Sequence, residues 1–498
     1  MTDLEKHFEP FRLNTIGHGS HFVTPFGRQP LVYADWIASG RLYRPIEEQM
    51  VDVFGPFVGN THSEASVTGR GMTRAYHEAR TIIKRHVNAS HDDVIVAAGS
   101  GMTRVVNKLQ RILGLRVPER LRDQVKLTTE DRPVVFLTHM EHHSNHTSWL
   151  ETIADVEVIP PGREGLVDPQ NLTVLLRKYE DRRVKIGAFT ACSNVTGIGT
   201  PYHRLAEIMH EQGGICFVDF AASAPYANID MHPDNAAQKL DAIYFSPHKF
   251  LGGPGSAGVL VFDGRLYHNS VPDVPGGGTV DWTNPWGEHR FVKDIEARED
   301  GGTPAFLQTI RAALAVRLKE QMDVKAMEAR EHELLQRAFA LLRDVPGLVI
   351  LADHTEDRIG VISFYIEGIH YNLIVQLLND RFGVQVRGGC SCAGTYGHYL
   401  LHVDWDRSHS ITDRIDAGDL SAKPGWVRLS LHPTMTDEEM EYAIDGIRQI
   451  AENIDEWSRD YGYDNHTNEF CHVASGNGMA EDPLAGGFDL PAAHQAVS

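Results

Sequence analysis

The feature that most constrains this chain is the alternation of short apolar runs with helical stretches between residues 92 and 262. Strands are predicted at 94–97, 133–137, 156–159, 185–190, 215–219, 242–245 and 258–262, where β-branched and aromatic residues gather between turn signals. Helices are predicted at Gly101–Leu113, Pro169–Glu180 and Tyr202–Gln212. Strand, helix, strand in repetition predicts an α/β domain on a mostly parallel, seven-stranded sheet. Ligands of such sheets sit at the carboxyl ends of the strands. A long charged helix from Ala305 to about Leu342 then leads to a smaller α+β domain. Its strands are predicted near 349–351, 360–365, 384–387 and 425–430, its helices at Tyr371–Asp380 and Thr436–Trp457. The expected organisation is an N-terminal segment packing with the small domain (1–30), a large domain (31–304), the small domain (305–458) and a partly disordered tail (459–498) rich in Gly, Asn, Asp and Ala.

A chain of 498 residues, 42% hydrophobic, can bury one large core and a second. Its net charge of −20 repels phosphates at long range, so nucleic acid and anionic membranes are not expected partners. No apolar run reaches the roughly 18 residues of a spanning helix, and Met1–Phe8 has no leader-like apolar stretch. Five cysteines, odd in number and without a zinc-type CxxC, fit a reduced cytoplasmic protein. Cys216, inside an apolar run, reads as a small buried hydrophobe.

Ser246-Pro247-His248-Lys249 follows the strand 242–245 and precedes a Gly-rich run at 252–258. A lysine there is either a surface residue of a turn or an amine that forms a Schiff base with an aldehyde cofactor, which needs burial to keep it neutral. Gly101-Met102-Thr103 joins a strand to a helix, either as a tight turn or as a phosphate cradle of free N–H groups and a hydroxyl. Asp219 ends its strand, capping a loop or pairing with a pyridinium N–H. His142, His143 and His146 follow Glu141 without HExxH order, so no metal is expected, and a flat imidazole stacked on an aromatic cofactor fits better. Asn194 is a loop asparagine or a donor to a phenolic oxygen. In the second domain Arg387 offers a carboxylate fork, and Cys392, on a Gly-bordered loop, a thiol able to act as a nucleophile once ionised.

Together these residues resemble the fold-type I, class V aminotransferase-like family of pyridoxal-phosphate enzymes, and within it the cysteine desulfurases and selenocysteine lyases. The resemblance runs in order from about residue 30 to 450. Tyr33-Ala34-Asp35-Trp36 and Asn60…Arg80 are similar to its N-terminal stretches. It implies pyridoxal phosphate on Lys249, with its phosphate held by Gly101, Met102, Thr103, Ser246 and His248. His142 would stack on the ring, Asp219 meet the pyridine nitrogen, and Asn194 contact cofactor and substrate. Thr303 would reach the phosphate across a homodimer, Arg387 clamp the substrate carboxylate, and Cys392 accept the sulfur. The implied activity removes sulfur or selenium from a cysteine-type amino acid to give alanine, with a possible sulfur-acceptor protein as partner. Within the same cofactor class stand β-elimination of a C–S bond to pyruvate, epimerisation and transamination; outside it stands a catalytically silent scaffold. The chain departs from the family at Ala222, where a glutamine is usual, at Cys390-Ser391, where a histidine pair is usual, and in insertions near 110–132 and 403–424.

Overall fold

The computed structural model describes residues 2–61, 64–475 and 483–490. Seven strands form one sheet in the order Asp93–Ala98, Gly258–Asp263, Ala242–Phe245, Ile215–Asp219, Lys185–Thr190, Val134–Thr138, Asp155–Ile159. Six run parallel and Gly258–Asp263 runs against its two neighbours, so the fold is the expected mostly parallel α/β sheet. Strands such as Val134–Thr138 and Ala242–Phe245 are buried at every residue, because crossover helices cover both faces of a parallel sheet. Thr190 pairs with Asp219, and Asp219 with Tyr244. That register brings neighbouring carboxyl ends level, and the connecting loops open at one edge.

The crossover helices observed are Met102–Ile112, Pro169–Arg177 and Tyr202–Glu211. Pro169 starts its helix at the first turn, where a missing N–H costs nothing, and Asp168 caps it by accepting from the Gln170 N–H. One long helix, Val67–His86, capped by Ser66, has no counterpart in the sequence expectations. Its residue Arg80 is buried and bonds Asp300 at 2.6 Å. His62 lies outside the described residues.

The single helix expected from Ala305 to Leu342 is two, Phe306–Met322 and Val324–Arg343, broken at Asp323. Asp323 takes φ 63° and accepts from the Lys325 N–H, ending one helix and capping the next. The break lets the chain pass between cores. Ile310, Ala313 and Val316 pack with the large sheet, whereas Met327, Leu334, Leu335 and Phe339 belong to the core around the small sheet. That four-stranded antiparallel sheet has the order Leu348–Ile350, Val361–Ile366, Trp426–Ser430, Arg387–Gly389. Helix Asp437–Trp457 contributes Met440, Ile444 and Ile447 to the same core, its start fixed by a reciprocal capping box between Thr436 and Glu439.

The N-terminal helix Asp3–Leu13 places Phe8 in the small-sheet core, and the strap after it does the same with Val32, Ala34 and Trp36. The strap pairs Val32 with Val384 and Asp35 with Ser430. The segment from 459 does not begin as a tail: Tyr461–Asp464 and Glu469–His472 form a hairpin. Buried Tyr461 bonds Asp380 at 2.9 Å, an anchoring contact that apolar periodicity does not reveal. Residues 476–482 and 491–498 of the expected tail lie outside the described residues. The 403–424 insertion carries the helix Trp405–Asp416, which buries none of its residues.

Leu334 is fully buried. Leu334→Ala is expected to lower stability by about 2–5 kcal/mol, read from the urea midpoint at constant slope. A loss below about 0.5 kcal/mol would contradict a close-packed core at the small sheet.

Candidate active site

A cavity of about 220 Å³ opens at the carboxyl ends of the parallel strands, closed from the other side by the small-sheet loop. Gly101, Met102, Thr103 and His142 line one part of it. Asn194, Asp219, Ser246, His248 and Lys249 line the floor, and Arg387 and Cys392 reach it from the small sheet. Eleven of the twelve residues singled out in the sequence therefore meet in one place. Thr303 does not: it is exposed and outside this cavity.

Lys249 sits in a 3₁₀ turn, its N–H bonded to the Ser246 carbonyl at 3.1 Å. Burial lowers its amine to about 8; Asp219 opposes the shift, and the Arg428 and Arg387 guanidinium groups add to it. Asp219 is 3% exposed. Burial raises its carboxyl to about 6, against a 2.8 Å hydrogen bond from the Ala221 N–H and the charge of Lys249. Burial, with Lys249, pushes His142 down to about 3. Its ring is therefore neutral at physiological pH, and Nδ1 accepts from the Ser144 N–H at 3.1 Å, which leaves the proton on Nε2. Beneath it, buried Glu141 accepts from Thr138, Thr190 and Asn145, tying two strand ends together.

Helix Met102–Ile112 starts at Gly101 with no side-chain cap. The Met102 N–H goes to Ser246 Oγ at 2.9 Å, and Thr103 Oγ1 lies 2.7 Å from Ser144 Oγ. A Cβ on Gly101 would come within 3.2 Å of Ser246 Oγ, so a larger residue would crowd the turn. A helix N-terminus, hydroxyls and His248 therefore meet at one part of the cavity, groups of the kind that can hold an anion. The Asn194 amide donates to the Ser391 carbonyl at 2.7 Å, leaving buried Oδ1 without a partner in the chain. The second hydrogen of that amide remains uncommitted beside the cavity that Asn194 lines.

Two participants were not foreseen. Arg428, in the apolar strand Trp426–Ser430, is 3% exposed and lines the cavity. It donates to Asp35 Oδ1 at 2.9 Å and to the Asn194 carbonyl at 3.2 Å. Arg387, half exposed, donates to the other Asp35 oxygen at 3.1 Å. The cavity thus holds, beside Arg387, a second arginine, and one aspartate bridges the two. An arginine inside an apolar strand was the available signal, since such a charge needs a partner. The second is His143. Its N–H bonds the Cys392 carbonyl at 2.7 Å, and its Nε2 accepts from the Gly394 N–H at 2.9 Å.

The Cys392 loop is a tight turn closed by the Ala393 N–H on the Cys390 carbonyl at 3.0 Å. Ser391 and Cys392, its central residues, take φ of 51° and 56°, a conformation that costs side-chain-bearing residues energy and is held by its surroundings. The thiol of Cys392 is exposed and free. Cys390 is partly buried, packs against the large-sheet core, and does not line the cavity.

In the cofactor-free chain, acylation of Lys249 is expected to accelerate through about pH 8, against roughly 10.4 for surface lysines. Asp219→Asn moves that midpoint downward, because it removes the carboxylate that favours the cation. Timed labelling with peptide mass spectrometry reads both; a Lys249 midpoint at the surface value would refute the burial of its amine.

The class-V aminotransferase family model matches residues 32–442. A probable cysteine desulfurase of Halalkalibacterium halodurans is 30% identical over 370 residues, 73% of this chain and 84% of that one. A probable cysteine desulfurase of Staphylococcus aureus is 28% identical over 367 residues, 73% of this chain and 83% of that one. Among solved structures, the Escherichia coli cysteine desulfurase CsdA aligns with a TM-score of 0.69 at 22% identity, over 90% of this chain and 98% of that one. The apo cysteine desulfurase of Thermococcus onnurineus NA1 aligns at 0.68 and 22% identity, over 85% and 95%. These two structures speak for the fold. The matched stretch spans both the Lys249 turn and the Cys392 loop, and the chain belongs to the class-V aminotransferase family, whose members typically use pyridoxal phosphate.

Proposed function

We propose that this chain is a pyridoxal-phosphate-dependent desulfurase that removes sulfur, or selenium, from a cysteine-type amino acid and leaves alanine. The observation that carries this reading is that a free, exposed cysteine lines the same cavity as a buried lysine of lowered pKa. The residues present fit the cofactor. The uncapped helix start at Gly101–Thr103, with Ser246 and His248, suits a phosphate. Asp219 suits a protonated pyridine nitrogen, the neutral His142 ring suits an aromatic face, and Asn194 keeps one amide hydrogen uncommitted. Bound there, the cofactor supplies an electron sink that acidifies the substrate Cα and takes part in breaking the C–S bond.

The chain's own residues do the rest. Arg428 and Arg387 receive the substrate carboxylate, with Asp35 fixing both forks. The Lys249 amine, neutral at mildly alkaline pH, takes the Cα proton as general base. The Cys392 thiolate attacks the substrate sulfur: an S–S bond forms as the C–S bond breaks, its electron pair stays with the carbon, and protons return there to give alanine. Cys392 is left as a persulfide for an acceptor protein or a small thiol. Because Thr303 lies outside the cavity of its own chain, its contact with the phosphate would come from a partner in a homodimer. No described helix is long and apolar enough to cross a membrane, and the reading places the enzyme in the cytoplasm.

Incubated with pyridoxal phosphate and L-cysteine, L-cystine or L-selenocysteine, the protein is expected to release alanine. Cys392→Ala should keep the yellow bound-cofactor absorbance and lose at least about 10²-fold in turnover. Pyruvate with unchanged turnover of that variant would replace this reading by β-elimination; absence of yellow colour would favour a silent scaffold. Arg428→Ala is expected to raise KM by about 10²-fold or more, since a buried charge-assisted contact to the carboxylate is worth several kcal/mol.

A further inference from the structure

The hydrogen bonds that tie the Cys392 loop to the large domain are of two kinds. The His143 N–H and the Asn194 amide donate to the Cys392 and Ser391 carbonyls, each at 2.7 Å. Those contacts keep their form at any ordinary pH. Another runs the opposite way, from the Gly394 N–H to His143 Nε2 at 2.9 Å. A backbone N–H only donates, so Nε2 has to be the bare nitrogen of a neutral ring. An imidazolium carries a proton on both nitrogens and has no lone pair for Gly394.

The contact stands where the loop needs it. A Cβ on Gly394 would come 3.2 Å from His143 Nε2, so the glycine lets the loop close on the ring. Ser391 and Cys392, with their left-handed backbone, lie just before it. Such backbone persists only where its surroundings hold it.

The surroundings of the ring favour the neutral form. His143 is the first residue of helix His143–Leu150, an end where free N–H groups disfavour a positive charge. Beside it on the same element are the His142 ring, with centroids 6.3 Å apart, and His146, whose own protonation a charged His143 would oppose. The small-sheet loop brings the Cys392 carbonyl and Gly394. Helix Gly394–Leu400 brings Thr395, 3.2 Å from His146 Nδ1, and His398, whose Nδ1 lies 2.7 Å from the Gly394 carbonyl. Burial lowers the His143 ring from its ordinary value, and no carboxylate charge offsets that among the described residues. The bond to Gly394 is therefore intact at neutral pH and is lost as pH falls through the lowered value.

We propose that His143 is a positioning residue for Cys392: its neutral ring latches Gly394, and protonation of that ring frees the loop, so that the thiol is no longer delivered to the cavity while the cofactor pocket stays formed. The role in sulfur transfer rests on the desulfurase reading above; the latch itself does not.

Hydrogen exchange on the full chain, with fragmentation that isolates the Gly394 amide, reads the latch without cofactor or substrate. Rates are corrected for the intrinsic effect of pH and referred to the buried strand Val134–Thr138 in the same sample. Gly394 is expected to be protected at about pH 7.5 and to lose about fivefold or more of that protection at about pH 5, the worth of one hydrogen bond. His143→Leu should show the loss already at about pH 7.5. His143→Gln, whose Oε1 accepts at a similar reach and does not titrate, should keep the protection at both. An unchanged rate in His143→Leu, or an acid loss that persists in His143→Gln, would overturn the latch. For the sulfur step, cofactor-loaded protein is mixed with L-cysteine at a single pH, because Lys249 titrates as well. His143→Leu should keep the absorbance change of substrate binding and form the Cys392 persulfide about tenfold or more slowly, with His143→Gln restoring the rate. Equal rates in all three proteins would overturn the positioning role. No persulfide in any of them, with the exchange results as expected, would remove the desulfurase reading and support the latch.

Discussion

Positive charge gathered in one cavity, most of it buried, and answered there by two carboxylates, is the constraint on which the site depends. Lys249, Arg428 and Arg387 all face this space. Unanswered, such cations would be expelled or neutralised. Asp35 bridges both arginines, and Asp219 lies close enough to Lys249 to favour its cation. The Lys249 balance is deliberately incomplete in physical effect: burial outweighs Asp219, so the amine falls to about 8. The base at Cα proposed for Lys249 needs a lone pair, and this balance makes one available at mildly alkaline pH.

Asp35 also explains why the N-terminal strap belongs to the site. The strap enters the small-sheet core through Val32, Ala34 and Trp36, with the Trp36 ring stacked on His432 at 4.0 Å. Asp35 itself pairs with Ser430 in the strand that carries Arg428. The same strand thus fixes both members of the ion pair. On the opposite side, His143 and Asn194 from the large sheet hold the backbone of the Cys392 loop at Cys392, Gly394 and Ser391. Two consecutive positive φ values are tolerated because those contacts over-determine the turn. The loop projects an exposed thiol while its backbone is pinned, which suits the nucleophile proposed above, one that would have to meet both a buried substrate and an outside acceptor.

Much of this was legible in the sequence. All seven sheet strands stand where apolar runs placed them, since a strand buried on both faces leaves a continuous signature. Lys249, Asp219 and His142 meet because each follows a strand end, and strand ends share one edge. What escaped did so for physical reasons. The break at Asp323 depends on one residue taking φ 63° to pass between two cores, and helical periodicity continues across it. The hairpin Tyr461–His472 is held by a Tyr461–Asp380 bond, a contact 81 positions apart. Arg428 and Asp35 are 393 apart, and only the folded chain makes them one unit. Asn194 lines the cavity, but its orientation follows from the Ser391 carbonyl, which no spacing announces.

The central claim is that Cys392 takes sulfur from the substrate. The direct test is to expose the cofactor-loaded protein briefly to L-cysteine, trap thiols with an alkylating agent, and sequence the Cys392 peptide by mass spectrometry. The account predicts one extra sulfur on Cys392, removed by a reducing thiol, and no extra sulfur on that peptide in a Lys249→Ala variant. Alanine production with Cys392 unmodified at every time point would contradict it.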